Sequence, residues 1–154
     1  MATVKLTGFK ELEKELDRFS KATGKGVLRR ALKKSAQPMA DLMHDMAPRG
    51  ETATDNLAES ISVGTKLSKR QAGQHKKMFR DDRAAVEMFV GPGPDPAAWN
   101  QEFGNVNHGP QPFVRPAWDQ DRMDLLDRLA NEMWSELYKS IARAERKAAR
   151  QAGG

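Results

Sequence analysis

The feature that most limits what this chain can fold into lies in its last quarter. From Arg115 onward, "RPAWDQDRMDLLDRLANEMWSELYKSIARAERKAARQAGG" sets Trp118, Leu125, Leu129, Met133, Leu137, Ile141 and Ala144 at helical intervals. Apolar residues recurring every three or four positions mark one face of a helix. The segment therefore predicts a single long helix whose stripe must be covered by other elements. Past Ile141 the stripe thins to alanine while Arg143, Arg146, Lys147 and Arg150 accumulate. That predicts an end that projects from the core over residues 141–154. Cations also suit the negative C-terminal end of a helix, so the cluster has a purely structural explanation as well.

The covering elements are legible upstream. "TVKLTG" (3–8) alternates like a half-buried strand. Phe9, Leu12, Leu16 and Phe19 mark one face of a first helix, which "TGKG" is expected to break. A second helix carries Leu28, Leu32, Ser35, Met39, Met43 and Met46, widened by Val27, Ala31 and Leu42. Pro38 lies inside it and predicts a kink between Lys34 and Pro38, or two shorter helices. A helical turn at Asn56–Glu59 and a strand over Ser60–Leu67 follow. Val86, Met88 and Val90 predict a second strand, paired with the first as an antiparallel hairpin. The span between them, 66–83, shows no clean period and reads as an exposed loop. Asp95 as N-cap, Pro96 at the first helical position and Gly104 as stop bound a short helix. The order predicts one α+β domain over residues 1–154: a small antiparallel sheet packed against two or more long helices, with a long C-terminal helix.

Chemistry is hard to place on this pattern. The chain has 154 residues and no cysteine, which excludes disulfides and thiolate sites. Its three histidines, His44, His75 and His108, form no metal-ligand spacing. Asp81–Asp82 balance Arg80 and Arg83 more readily than they bind a cation. No nucleophile motif or phosphate-binding loop is present. The expectation is a protein without enzymatic activity, cofactor or metal. No apolar run is long enough to cross a membrane, and the N-terminus lacks the apolar centre of a secretory signal, so the reading is of a soluble, cytoplasmically made protein without a membrane partner.

Charge raises a second class. The formal net charge is +5. The span 66–83 holds seven cations, among them Lys69, Arg70, Lys76, Lys77 and Arg80, against Asp81 and Asp82, a local net of +5. Such a tip could touch phosphates without reading sequence. Only Phe79 supplies the aromatic interleaving that single-strand binders use.

Between the two halves lies "GPQPFVRPAWDQDRMDLL", a stiff elbow beginning at Gly109. Pro112 and Pro116 fix their own φ and hold the preceding residues extended. Phe113 and Trp118 are placed to plug the core, Phe103 to anchor the preceding turn, and Gly104 to adopt a backbone conformation that larger residues resist. Trp99, the triplet Glu102-Phe103-Gly104 and then Pro110-Gln111-Pro112-Phe113-Val114-Arg115-Pro116-Ala117 resemble the signature of the small neck and tail-completion proteins of long-tailed phages and prophages. The resemblance extends over about residues 3–130, through "GFKELEKEL", "MAPRG" and "DNLAESI".

It implies a virion protein that forms a homohexameric ring around the DNA channel. Such a ring would contact the head connector or stopper on one side and the tail tube on the other, with at most non-specific contact to genomic double-stranded DNA. Candidate assembly surfaces are 66–83 with Phe79, the Gly/Pro turn with Pro92 and Pro94, and the basic helix end Arg143–Arg150. A nucleic-acid-binding protein and a transient tail-assembly factor are the alternative readings.

Overall fold

The computed structural model describes residues 9–49, 56–81 and 84–154. The strand expected at residues 3–8 and the pair Asp82–Arg83 lie outside them. The chain order is α1 (Phe9–Leu16), α2 (Lys21–Met46), α3 (Asn56–Glu59), β1 (Ser62–Gly64), α4 (Lys69–Met78), β2 (Phe89–Gly91), α5 (Pro96–Phe103) and α6 (Val114–Ala152). The class is α+β, with the predicted antiparallel pair present. Ser62 faces Gly91, Val63 faces Val90 and Gly64 faces Phe89. The strands are shorter than the alternation suggested, three residues each.

α2 and α6 form the frame and run antiparallel: Ser35 meets Arg128, Lys34 meets Glu132, and Arg30 meets Glu136. Their shared core has two apolar lobes. One gathers Met39, Met43, Ala47, Leu57, Ala58, Ala98, Phe113 and Ala117; the other gathers Leu12, Val27, Ala31, Met133 and Leu137.

Polar cross-ties span the frame. The Arg128 guanidinium donates to the Ser35 carbonyl through Nε (3.1 Å) and Nη2 (3.0 Å), and is itself held by the buried Asp121. Ser35 is the residue three before Pro38, whose ring crowds the turn it follows. α6 thus supplies donors to a carbonyl of that crowded turn. α2 is one element across Pro38, not two shorter helices. The second tie is Glu136, buried at 2% exposure, which accepts from Arg30 Nε (2.7 Å) and Lys34 Nζ (2.5 Å). The two cations hold its carboxyl down to about 2 against the opposing effect of burial.

Four expectations are corrected. The break after α1 falls at Asp17–Ser20, where Ser20 caps α2 by accepting from the Thr23 N–H, so "TGKG" lies inside α2. The buried line of α2 is Val27, Ala31, Ser35, Met39 and Met43, with Leu28 on its flank. The span 66–83 is no loop: α4 occupies its centre. Ser68 and Gln71 form a reciprocal capping box there, each side chain bonded to the other's backbone. In the first turns of α6 the buried residues are Ala117 and Asp121, and Trp118 turns outward at 48% exposure.

Candidate assembly site at the elbow

The elbow closes on a carboxylate. Phe113, at the start of α6, offers no side-chain cap, so the first N–H groups of a helix of 39 residues need acceptors from elsewhere. Glu102, from the last turn of α5, supplies them. Its carboxylate accepts from the backbone N–H groups of Phe113 (2.8 Å), Val114 (2.9 Å) and Arg115 (3.0 Å). Arg115 answers with Nε to the same carboxylate (2.8 Å) and Nη2 to the Glu102 carbonyl (2.7 Å). Glu102 is 5% exposed. Burial would push its carboxyl up, but the N–H groups of Val114 and Phe113 and the Arg115 guanidinium outweigh it and hold the carboxyl below its ordinary value. An anion at the positive end of a long helix is also favoured by the helix dipole.

Gly104 makes the reach possible. Its φ is +76°, and a Cβ there would stand 2.9 Å from the Pro110 nitrogen. Gln111 N–H then bonds the Gln101 carbonyl at 2.7 Å. Between these points the Asn105 side chain accepts from the N–H groups of Asn107 (2.8 Å) and His108 (3.1 Å), folding a tight turn that leaves Val106 fully exposed. Phe113 is completely buried, as its place in the motif predicts.

Outside this clasp the aromatics face solvent. Trp99 (68% exposed) lies against Phe103 with ring centroids 4.5 Å apart, and the Arg115 guanidinium sits 4.7 Å over the Phe103 ring. Phe103, expected as an anchor, is therefore half exposed and covered by a cation on one face. Trp118 follows Arg115 by one turn of α6. Gln111 and Pro112 are exposed, and Pro116 is partly buried. Exposed Trp and Arg are among the residue types that dominate binding at protein interfaces.

The other candidates are scattered. Lys69, Arg70, Lys76, Lys77, Phe79 and Arg80 are exposed on or beside α4. His75 lies between Phe79 (4.9 Å) and Phe89 (5.2 Å), joining α4 to β2. Pro92 and Pro94 flank Gly93, whose N–H donates to Ser60 Oγ at 3.2 Å. Arg143, Arg146, Lys147 and Arg150 are exposed on α6. His44, His75 and His108 stand on separate elements, and no group of His, Cys, Asp or Glu able to hold a metal occurs among the described residues. No helix among them is long and apolar enough to cross a membrane. Sequence reasoning missed the roles of Glu102, Asp121 and Glu136 as buried acceptors and the exposure of Val106 and Tyr138. For Glu102 a signal existed: a carboxylate shortly before an uncapped helix start.

A family model described as "Bacteriophage HK97-gp10, putative tail-component" matches residues 10–104. The chain belongs to this HK97-gp10-like family. The matched span runs from α1 to the glycine that ends α5, taking in Trp99 and the Glu102–Gly104 triplet and stopping short of Pro110–Ala117. Neither the curated proteins nor the solved structures contain a match. The family fixes a phage structural role. In this chain the α5–α6 junction leaves Trp99, Phe103 and Trp118 exposed at the surface.

Proposed function

We propose that this tail component is a non-enzymatic virion protein of the phage neck. It completes the upper end of the tail and joins it to the head connector, as a ring around the DNA channel. The observation that carries this reading is the exposure of Trp99, Phe103 and Trp118 beside the clasp of buried Glu102 with Arg115, in a chain of a phage tail family. A monomer has no use for rigidly presented aromatics; a ring-former needs a patch that a neighbour covers. Head-to-tail contacts of one patch with a different patch on the next copy generate closed rings.

Light scattering of the purified protein, alone and with tail tubes, followed by negative-stain imaging, tests this. Rings, or density confined to one end of the tubes, are expected. A Trp99→Ala/Phe103→Ala variant should fold as a monomer and leave tube ends bare. A wild-type protein that stays monomeric and ignores tubes overturns the reading. Association only with unfinished tails, and absence from purified particles, would identify a transient assembly factor instead.

A further inference from the structure

Positive charge is not confined to α4 and its flanks. The antiparallel pairing of α2 and α6 brings Arg30 and Lys34 against Glu136, and Lys139 also lies 3.5 Å from that carboxylate. From Lys139 the same face of α6 continues through Arg143, Arg146, Lys147 and Arg150, at steps of four, seven, eight and eleven residues. These positions fall in one strip about 17 Å long at 1.5 Å rise per residue. Glu145 points to the other side of the helix. Counting Glu132 and Glu136, the strip's seven cations give a net of +5, equal to the formal charge of the whole chain. Arg143, Arg146, Lys147 and Arg150 are exposed, and among the described residues none makes an ion pair.

The strip holds no apolar side chain that could form the dry centre of a protein interface, and such centres are depleted of charge. A row of solvated Arg and Lys on a stiff rod, with successive cations about 1.5 to 6 Å apart along it, fits instead a polyanion that is bound through water and counterion release. We propose that this strip, rather than α4, is a sequence-independent contact for the phosphate backbone of double-stranded DNA. The inference deepens the neck reading by naming the surface that faces the channel, but binding itself does not depend on ring closure.

The test is fluorescence anisotropy of the full chain with a short labelled duplex of mixed sequence, across 50 mM to 200 mM salt. Each phosphate neutralised contributes about −0.9 to the slope of log affinity against log salt. Arg143→Glu/Arg146→Glu/Lys147→Glu/Arg150→Glu should lower affinity more than tenfold and flatten that slope by about 3 to 4. Should that variant fail to fold, the same four positions changed to Gln carry the measurement. The matched variant Lys69→Glu/Arg70→Glu/Lys76→Glu/Lys77→Glu should keep affinity within threefold.

Equal losses in both variants would reduce the effect to bulk charge, and an unchanged α6 variant would remove the strip from it. Either result overturns the proposal, as does a variant that binds DNA normally but no longer joins tails, which points to an acidic protein partner. Failure to form rings with DNA binding intact would overturn the neck reading and leave this one standing.

Discussion

The clasp can be tested by removing one side chain. Glu102→Ala deletes the acceptor of three backbone N–H groups and of the Arg115 Nε. Loss of an N-terminal cap costs about 1 kcal/mol, and up to about 2. A buried N–H left without a partner costs about 1–3 kcal/mol. The helix-dipole contribution, up to about 2 kcal/mol in partly buried sites, is carried by the same bonds and is not added in full. Phe113 is completely buried, so water reaches its N–H poorly; Arg115 is exposed, so water can replace its bond. The sum is a loss of about 3 kcal/mol, or about 6–12 °C in midpoint for a chain of this size.

Glu102→Gln should cost about 2 kcal/mol, because the amide oxygen still accepts while its NH2 faces donors. The pH dependence separates charge from shape. The folded carboxyl lies below its ordinary value, so its stabilisation is present above that ordinary value and disappears as pH falls through the lowered one. Glu102→Gln should remove that part of the acid limb. Urea unfolding followed by circular dichroism at neutral and mildly acidic pH measures both effects. A loss under about 1 kcal/mol for Glu102→Ala would show that solvent caps α6 and that the clasp does not hold the elbow.

Glu136 gives a second acid limb. Its folded pKa of about 2, against an ordinary 4.5, corresponds to about 3 kcal/mol, reduced to about 2 because Arg30 and Lys34 are half exposed. This stability is present above the ordinary value and is lost from about pH 5 toward pH 2; a Glu136→Gln unfolding series should lack it. Gly104→Ala forces a side chain into a positive φ beside Pro110 and should cost about 1–3 kcal/mol in thermal unfolding, with the elbow loop most affected in hydrogen exchange. Trp99→Ala and Trp118→Ala, both at exposed positions, should change monomer stability by no more than about 0.5 kcal/mol while abolishing assembly in light scattering; a large stability loss would make them structural.

The helical frame was readable because spacing reports a buried face directly. Val27, Met39, Met133 and Leu137 recur as expected and are buried. α4 was not readable this way, because it buries no residue and leaves no apolar period. Its local signal was the Ser68–Gln71 capping box, which the charge count obscured. Trp118 misled because size was taken for burial: its small neighbour Ala117 holds the buried place, in the cluster with Met39, Met43 and Phe113. "TGKG" misled because each glycine costs only about 1 kcal/mol in a helix, less than the Ser20 cap and the burial of Val27 and Ala31 return. Asp121 and Glu136 could not be told from solvated carboxylates by sequence alone. Glu136 draws Arg30 and Lys34 from α2, while Arg128 and Lys139 stand on α6 itself, seven and three residues from the acids they meet.

On the proposed reading, these buried acids let α6 serve two surfaces at once. Glu102 fixes its first turn, Asp121 and Arg128 tie it to the Pro38 turn of α2, and Glu136 ties it again two turns later. Between Phe113 and Ile141 the helix is therefore held at three points, and beyond them it continues with exposed side chains. Aromatics stand at the held end and cations at the free one, about 40 Å apart along the rod. Aromatic contacts gain energy only when water is excluded, which requires a rigid, pre-set surface. Phosphate contacts work through water and tolerate side-chain freedom. On the proposed reading, the rigid end is therefore the one that must find a neighbouring protein, and the solvated end is the one that can meet a DNA chain sliding past it.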